Sequence, residues 1–135
     1  MHQSISYEDA RRLAHSGSVK ERRAIAEHRE TPPEILYFLA DDPDAGIRQC
    51  IAANATTPHQ ADFNLAQDAD DDVRCVLASK ISHLFPKTSR AEQDTMRRAV
   101  MDVMEVLASD EASRVRAVVA DTLKDAPDIP HHLIV

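Results

Sequence analysis

The sequence predicts an all-α chain, a right-handed α-solenoid of about four two-helix repeats. Three observations predict it. One segment pattern recurs four times, Thr-Pro helix starts recur in step with it, and the composition suits small-residue helix packing. Segments from Leu13, Leu39, Leu65 and Leu107 read LAHSGSVKERRAIA, LADDPDAGIRQCIA, LAQDADDDVRCVLA and LASDEASRVRAVVA. Each opens on Leu-Ala, carries arginine nine residues later (Arg22, Arg48, Arg74, Arg116) and alanine four beyond that (Ala26, Ala52, Ala78, Ala120). Spacings of 26, 26 and 42 residues lie in the range of solenoid arrays. Only 2 glycines and 4% aromatics, beside 43% hydrophobic residues, favour helices over strands.

In the first unit Glu21 stands where later units have Ile47, Val73 and Val115. A charge there suits an N-terminal cap with nothing stacked outside it. TPPEILYFLA (31–40) and TPHQADFNLA (57–66) start the next helices. Thr31 with Glu34, and Thr57 with Gln60, have the form of a capping box, with Pro32 and Pro58 at the first helical position. A second helix follows each acidic stretch and carries the arginine. Its buried face is predicted as Ile47, Cys50 and Ile51, then Val73, Val76 and Leu77, then Val115, Val118 and Val119. The recurring alanine lets neighbouring helices approach closely.

The 42-residue gap holds an insertion, because from Pro86 to Leu107 is 21 residues where the other unit has 7. The added length makes about four helical turns. Ser89 with Glu92 has capping-box form, and Met96, Ala99, Val100, Val103 and Leu107 make one apolar stripe, so an elongated helix is predicted near 89–108. DIPHHLIV resembles the start of a truncated fifth repeat from about 129. The reading is one helical-repeat domain over 1–135, with repeats beginning near 13, 39, 65 and 107.

The net charge of -7 disfavours nucleic-acid binding, which needs a basic footprint to displace phosphate counterions. KERR (20–23) and MRRA (96–99) therefore read as solvated helix faces. Neither a membrane span nor a signal-peptide core is visible, and two cysteines make no disulfide framework, so a cytoplasmic protein is expected.

Asp68, Asp70 and Asp72 spell the opening of a calcium loop, but Val73 stands where the loop needs glycine and Ser79 where it needs a bidentate acid. A structural role is expected instead. Asp42, Asp68 and Asp110 each stand six residues before an arginine, placed to accept backbone N–H groups at a helix start. The arginine of one stacked unit can reach the equivalent acid of its neighbour, giving a ladder of Arg22, Asp42, Arg48, Asp68, Arg74, Asp110 and Arg116. The seven histidines lack metal-site spacing. Cys50 aligns with core positions, and Cys75 with outward positions Gln49 and Ala117; neither has the signature of an activated nucleophile. No catalytic residue, cofactor or metal is expected.

The Leu-Ala, Asp-x5-Arg, Ala pattern with Thr-Pro starts resembles the leucine-rich repeat variant and HEAT- or ARM-like α-solenoids. More closely, LFPKTSRAEQDTMRRAVMDVMEVLASDEASRVRAVVADTLKDAPDIPHHLI is similar to an uncharacterised bacterial family of helical-repeat proteins, a likeness covering about 10–134. The resemblance implies an inter-repeat Asp–Arg ladder and repeats that continue beyond this stretch. The cysteines that hold an iron–sulfur cluster in some leucine-rich repeat variant proteins have no counterpart here. The expected function is a non-catalytic protein-interaction scaffold, acting as a monomer or weak homodimer with a partner of unknown identity, and without nucleic acid or membrane. The alternatives are a HEAT-like nucleic-acid-binding module and a small-molecule-binding or regulatory domain. If the second helices line the bound face, it comprises Arg23, Glu27, Gln49, Ala53, Cys75, Ser79, Asp121 and Lys124.

Overall fold

A computed structural model describes residues 6–84 and 94–123. It is all-α among the described residues, with eight helices: α1 (Tyr7–Ser16), α2 (Val19–Glu27), α3 (Pro33–Leu39), α4 (Ala45–Ala53), α5 (His59–Leu65), α6 (Asp71–Leu84), α7 (Asp94–Ala108) and α8 (Ser113–Leu123). The odd-numbered helices touch one another in chain order, and so do the even-numbered ones, which gives two layers. No described helix is long and apolar enough to cross a membrane.

Aliphatic side chains fill the space between the layers. Leu36, Leu39, Ile47, Ile51, Leu65, Val73, Leu77, Ile81, Met104 and Leu107 are all fully buried. Ala26, Ala52 and Ala78 are also sealed, so α2, α4 and α6 meet through methyl groups. Ala120 is exposed, because among the described residues no helix packs outside α8. Cys50, Val76 and Val118 are half-buried rather than core, which corrects their predicted place. This column of each second helix borders the seam with its neighbour, where the layer opens outward.

The helix starts differ from the predicted capping boxes. Thr31 and Thr57 are buried, and their hydroxyls donate backward, to the Ile25 carbonyl at 2.7 Å and the Ile51 carbonyl at 2.9 Å. Each of those carbonyls, in the last turn of the preceding helix, also accepts a backbone N–H, from His28 or Asn54, so the hydroxyl is its second donor. Pro32 and Pro58 are the caps of α3 and α5, one position before the helix, and neither start has a side-chain cap bond. The complete capping box lies instead at α2, where Ser18 and Glu21 exchange bonds of 2.9 and 3.2 Å. Glu21 therefore has a partner of its own rather than merely being tolerated. The close α1–α2 turn depends on Gly17, where an added Cβ would stand 2.5 Å from the Leu13 carbonyl oxygen. In α7, Val100, Val103 and Leu107 are buried as the stripe predicts and Ala99 is half-buried; the Met96 side chain, Ser89, Glu92, Pro86 and the fifth-repeat start lie outside what the structure describes.

Thr57→Val is expected to destabilise by about 1 kcal/mol, the net worth of one buried hydrogen bond. Gln60→Ala, on an exposed position, should leave stability nearly unchanged. Urea denaturation of the two variants separates these roles; the reverse ranking would restore the capping box.

Candidate functional site

Arg22, Arg48, Arg74 and Arg116 all occupy the fourth position of a second helix. From there a guanidinium reaches across to the loop that leads into the next second helix. Arg22 grips Asp42 through Nε at 2.8 Å and Nη2 at 3.3 Å, Arg48 grips Asp68 at 2.9 and 3.3 Å, and Arg74 grips Asp110 at 2.8 and 3.2 Å. Each is a two-pronged charge-assisted contact with the same atoms in the same roles. Nη1 of each arginine turns to its own unit, donating to the carbonyl of Gly17, Asp42 or Asp68. Arg116 makes this last bond to Asp110 and has no carboxylate partner among the described residues. A rung thus joins one unit's arginine to the next unit's aspartate, while Asp42 and Arg48 of one unit meet only through backbone.

Each aspartate is held from a second side. Oδ1 of Asp42, Asp68 and Asp110 accepts the backbone N–H of Asp44, Asp70 and Ala112 at 2.9, 2.9 and 2.8 Å. These acids shape the turn before the helix, and the side chain capping α4 is Asp44, bonded to the Ile47 N–H at 3.2 Å. The rungs are progressively sheltered, the arginine side chains being 20%, 18% and 9% exposed along the chain.

The calcium-like aspartates are divided among different tasks. Asp68 belongs to a rung, whereas Asp70, Asp71 and Asp72 place carboxylate oxygens within 4.8 Å of one another at the start of α6. Arg114 of α8 lies 2.9 Å from Asp71 and also bonds Asp72, and it holds the Asp71 carboxyl below its ordinary range. A guanidinium supplies the positive charge there.

Away from the rungs, at the C-terminal ends of α2 and α4, a further repeated contact links the units. Residues 28, 54 and 80 are equivalent by the 26-residue period. Asn54 donates to the carbonyls of Ala26 at 2.9 Å and His28 at 3.3 Å, and Lys80 donates to the carbonyl of Asn54 at 3.1 Å. Lys80 also meets Asp62 of α5 at 2.6 Å, with side chains only 6% and 3% exposed. Burial pushes the Asp62 carboxyl up to about 6 against the pull of Lys80, and burial pushes the Lys80 ammonium down. No motif in the sequence marks this pair. Its trace was an aspartate at the position where the preceding unit has core Leu36.

Four of the residues assigned to a binding face come together. Arg23, Glu27, Gln49 and Ala53 line a groove of about 380 Å³ across α2, α4 and α6, with Cys50, Asn54 and Val76 along its wall. The Cys50 thiol donates to Glu27 at 3.6 Å, and burial raises it above its ordinary value. Cys75 (half-buried) and Ser79 (exposed) lie on α6 outside this groove, Asp121 is exposed on α8, and Lys124 lies outside the described residues. Comparison with protein-family models, curated proteins and solved structures returns no match.

Arg74→Ala is expected to destabilise by about 1–3 kcal/mol, because it leaves the sheltered Asp110 carboxylate without its donor. Arg12→Ala, which removes an exposed pair with Asp9, should cost well under that. Thermal melts of both proteins read the difference.

Asp62→Leu alone strands a buried ammonium and is expected to cost about 3–5 kcal/mol, whereas Asp62→Leu with Lys80→Met should recover most of that loss. The raised Asp62 value also fixes a pH dependence. The folded protein binds this proton more tightly than the unfolded chain, so the contribution is fully present below pH 3.8 and is lost as pH rises through about 6. Asp62→Asn should remove that component from the stability profile measured by denaturation between pH 4 and 7.

Proposed function

We propose that the chain is a non-catalytic protein-interaction module, a right-handed HEAT-like α-solenoid of about four two-helix units that presents its second helices to a partner. The observation that carries this reading is the repetition of one rung geometry at three successive junctions. Identical clamps fix the second helices relative to each other, and a surface fixed in advance spends little ordering entropy on association. The groove over α2, α4 and α6 draws on three successive units, as an extended recognition surface of a repeat protein does. Its mixture of Arg23, Glu27 and Gln49 with Ala53 and Val76 suits a protein surface containing both polar and apolar groups.

Affinity capture with the intact protein is expected to recover a protein partner. Gln49→Lys together with Ser79→Lys, on exposed or half-buried positions, should weaken the recovered complex about tenfold or more while leaving the melting temperature unchanged. Unchanged affinity would move docking away from the second helices.

A further inference from the structure

The aromatic side chains of this protein are in an unusual place. The sequence has 2 tyrosines, 3 phenylalanines and no tryptophan, and among the described residues the buried core contains none of them. Tyr7, Tyr37, Phe38 and Phe63 are 45%, 42%, 44% and 39% exposed, all on the first-helix layer; Phe85 lies outside the described residues. Large rings left in water are costly where a core could take them, and such rings are the usual anchors of binding surfaces.

Two of these rings border a cleft of about 540 Å³ between α1, α3 and the loop before α4. His15 stacks on Phe38 with ring centroids 4.0 Å apart and an interplanar angle of 24°, making one aromatic wall. Tyr37 stands beside it. Glu34, Phe38 and Asp41 recur at helical spacing along α3 and the turn that ends it, so two carboxylates flank the ring. The lining holds three carboxylates, Glu34, Asp41 and Asp42, against one guanidinium, Arg22. That guanidinium is already engaged by Asp42 and the Gly17 carbonyl. Glu34 and Asp41 have no cationic partner among the described residues.

We propose that this cleft docks a partner peptide segment bearing lysine or arginine. Ring faces attract a cation, carboxylates at the rim pair with it, and a wholly apolar segment would desolvate those carboxylates without compensation. An anionic partner, nucleic acid included, is repelled by the same groups. The neighbouring unit indicates an extended ligand. Phe63 of α5 occupies the position equivalent to Tyr37, so the aromatic row continues beyond the cleft. Yet α5 and its closing turn have Gln60, Asn64 and Gln67 where α3 and its turn have Glu34, Phe38 and Asp41. The cationic residue therefore belongs at α3, with apolar residues of the segment running toward Phe63. This surface is distinct from the second-helix groove and is read by a different experiment.

The test is a ¹H–¹⁵N titration of the full chain with an acetylated, amidated hexapeptide, Leu-Ala-Leu-Gly-Arg-Lys, beside a control with both basic residues replaced by glutamate. Saturable shifts centred on α1 and α3 are expected with the basic peptide, weakened about tenfold by 0.5 M salt and absent with the control. The triple variant Glu34→Gln, Phe38→Asn, Asp41→Gln gives α3 and its closing turn the residues that α5 and its turn already carry in the same fold, and should lose about tenfold or more in affinity. Asp41→Gln alone, at an exposed position, reads the charge contribution independently and should weaken binding by several fold. Absence of saturable shifts, equal binding of the glutamate control, shifts centred on α2, α4 and α6, or unchanged affinity in a folded variant would each overturn the proposal.

Discussion

The two-pronged contact between an arginine of one unit and an aspartate of the next organises this molecule. It works because both partners are held before they meet. The arginine sits at a fixed helical position with one nitrogen bonded to its own loop, and the aspartate is oriented by a backbone N–H two residues on. Little rotamer entropy remains to be lost when the ions pair, so the usual weakness of surface ion pairs does not carry over to these sheltered ones. Aliphatic burial supplies the bulk attraction between layers, but apolar contact is non-directional and would tolerate sliding. The rungs supply direction.

The two ends of the second helices solve the same problem with different chemistry. At the N-terminal end, ions join side chain to side chain. At the C-terminal ends of α2 and α4, Asn54 and Lys80 donate into the backbone of the preceding unit, beside the backbone N–H groups that the His28 and Asn54 carbonyls already accept. Thr31 and Thr57 do the same within a unit. Helices as short as α3 and α5, seven residues each and without a side-chain cap bond, persist instead through burial of Ile35, Leu36, Leu39, Ala61 and Leu65.

The sequence reveals much of this, and for a definite reason. A period exposes equivalent positions, so Arg22, Arg48 and Arg74 stand out together with Asp42, Asp68 and Asp110, and helix starts follow from Thr-Pro. What the period hides is anything that occurs once or depends on depth. Asp62 and Lys80 share no motif; each is merely an odd residue in its column, and only packing brings α5 against α6. Cys50, Val76 and Val118 keep helical spacing with true core residues, yet the seam between adjacent helices leaves them half open. Thr31 and Thr57 fit a capping box by spacing, but their burial turns the hydroxyls toward the preceding helix. The face assigned to Arg23, Glu27, Gln49 and Ala53 was accessible to helical register, whereas the cleft beside Phe38 required knowledge of which aromatics stay outside.

Near-identical units carry a hazard that unique folds do not: a helix can dock one copy out of place and still find a familiar surface. The rungs cannot prevent this, since every arginine accepts every aspartate. Asp62 and Lys80 can. A slip of one 26-residue period would set Asp62 against the position of Asn54 and leave Lys80 facing Leu36, burying two separated charges at once. The pair therefore acts as a key that numbers the units, penalising mis-threaded chains during folding far more than it strengthens the finished protein.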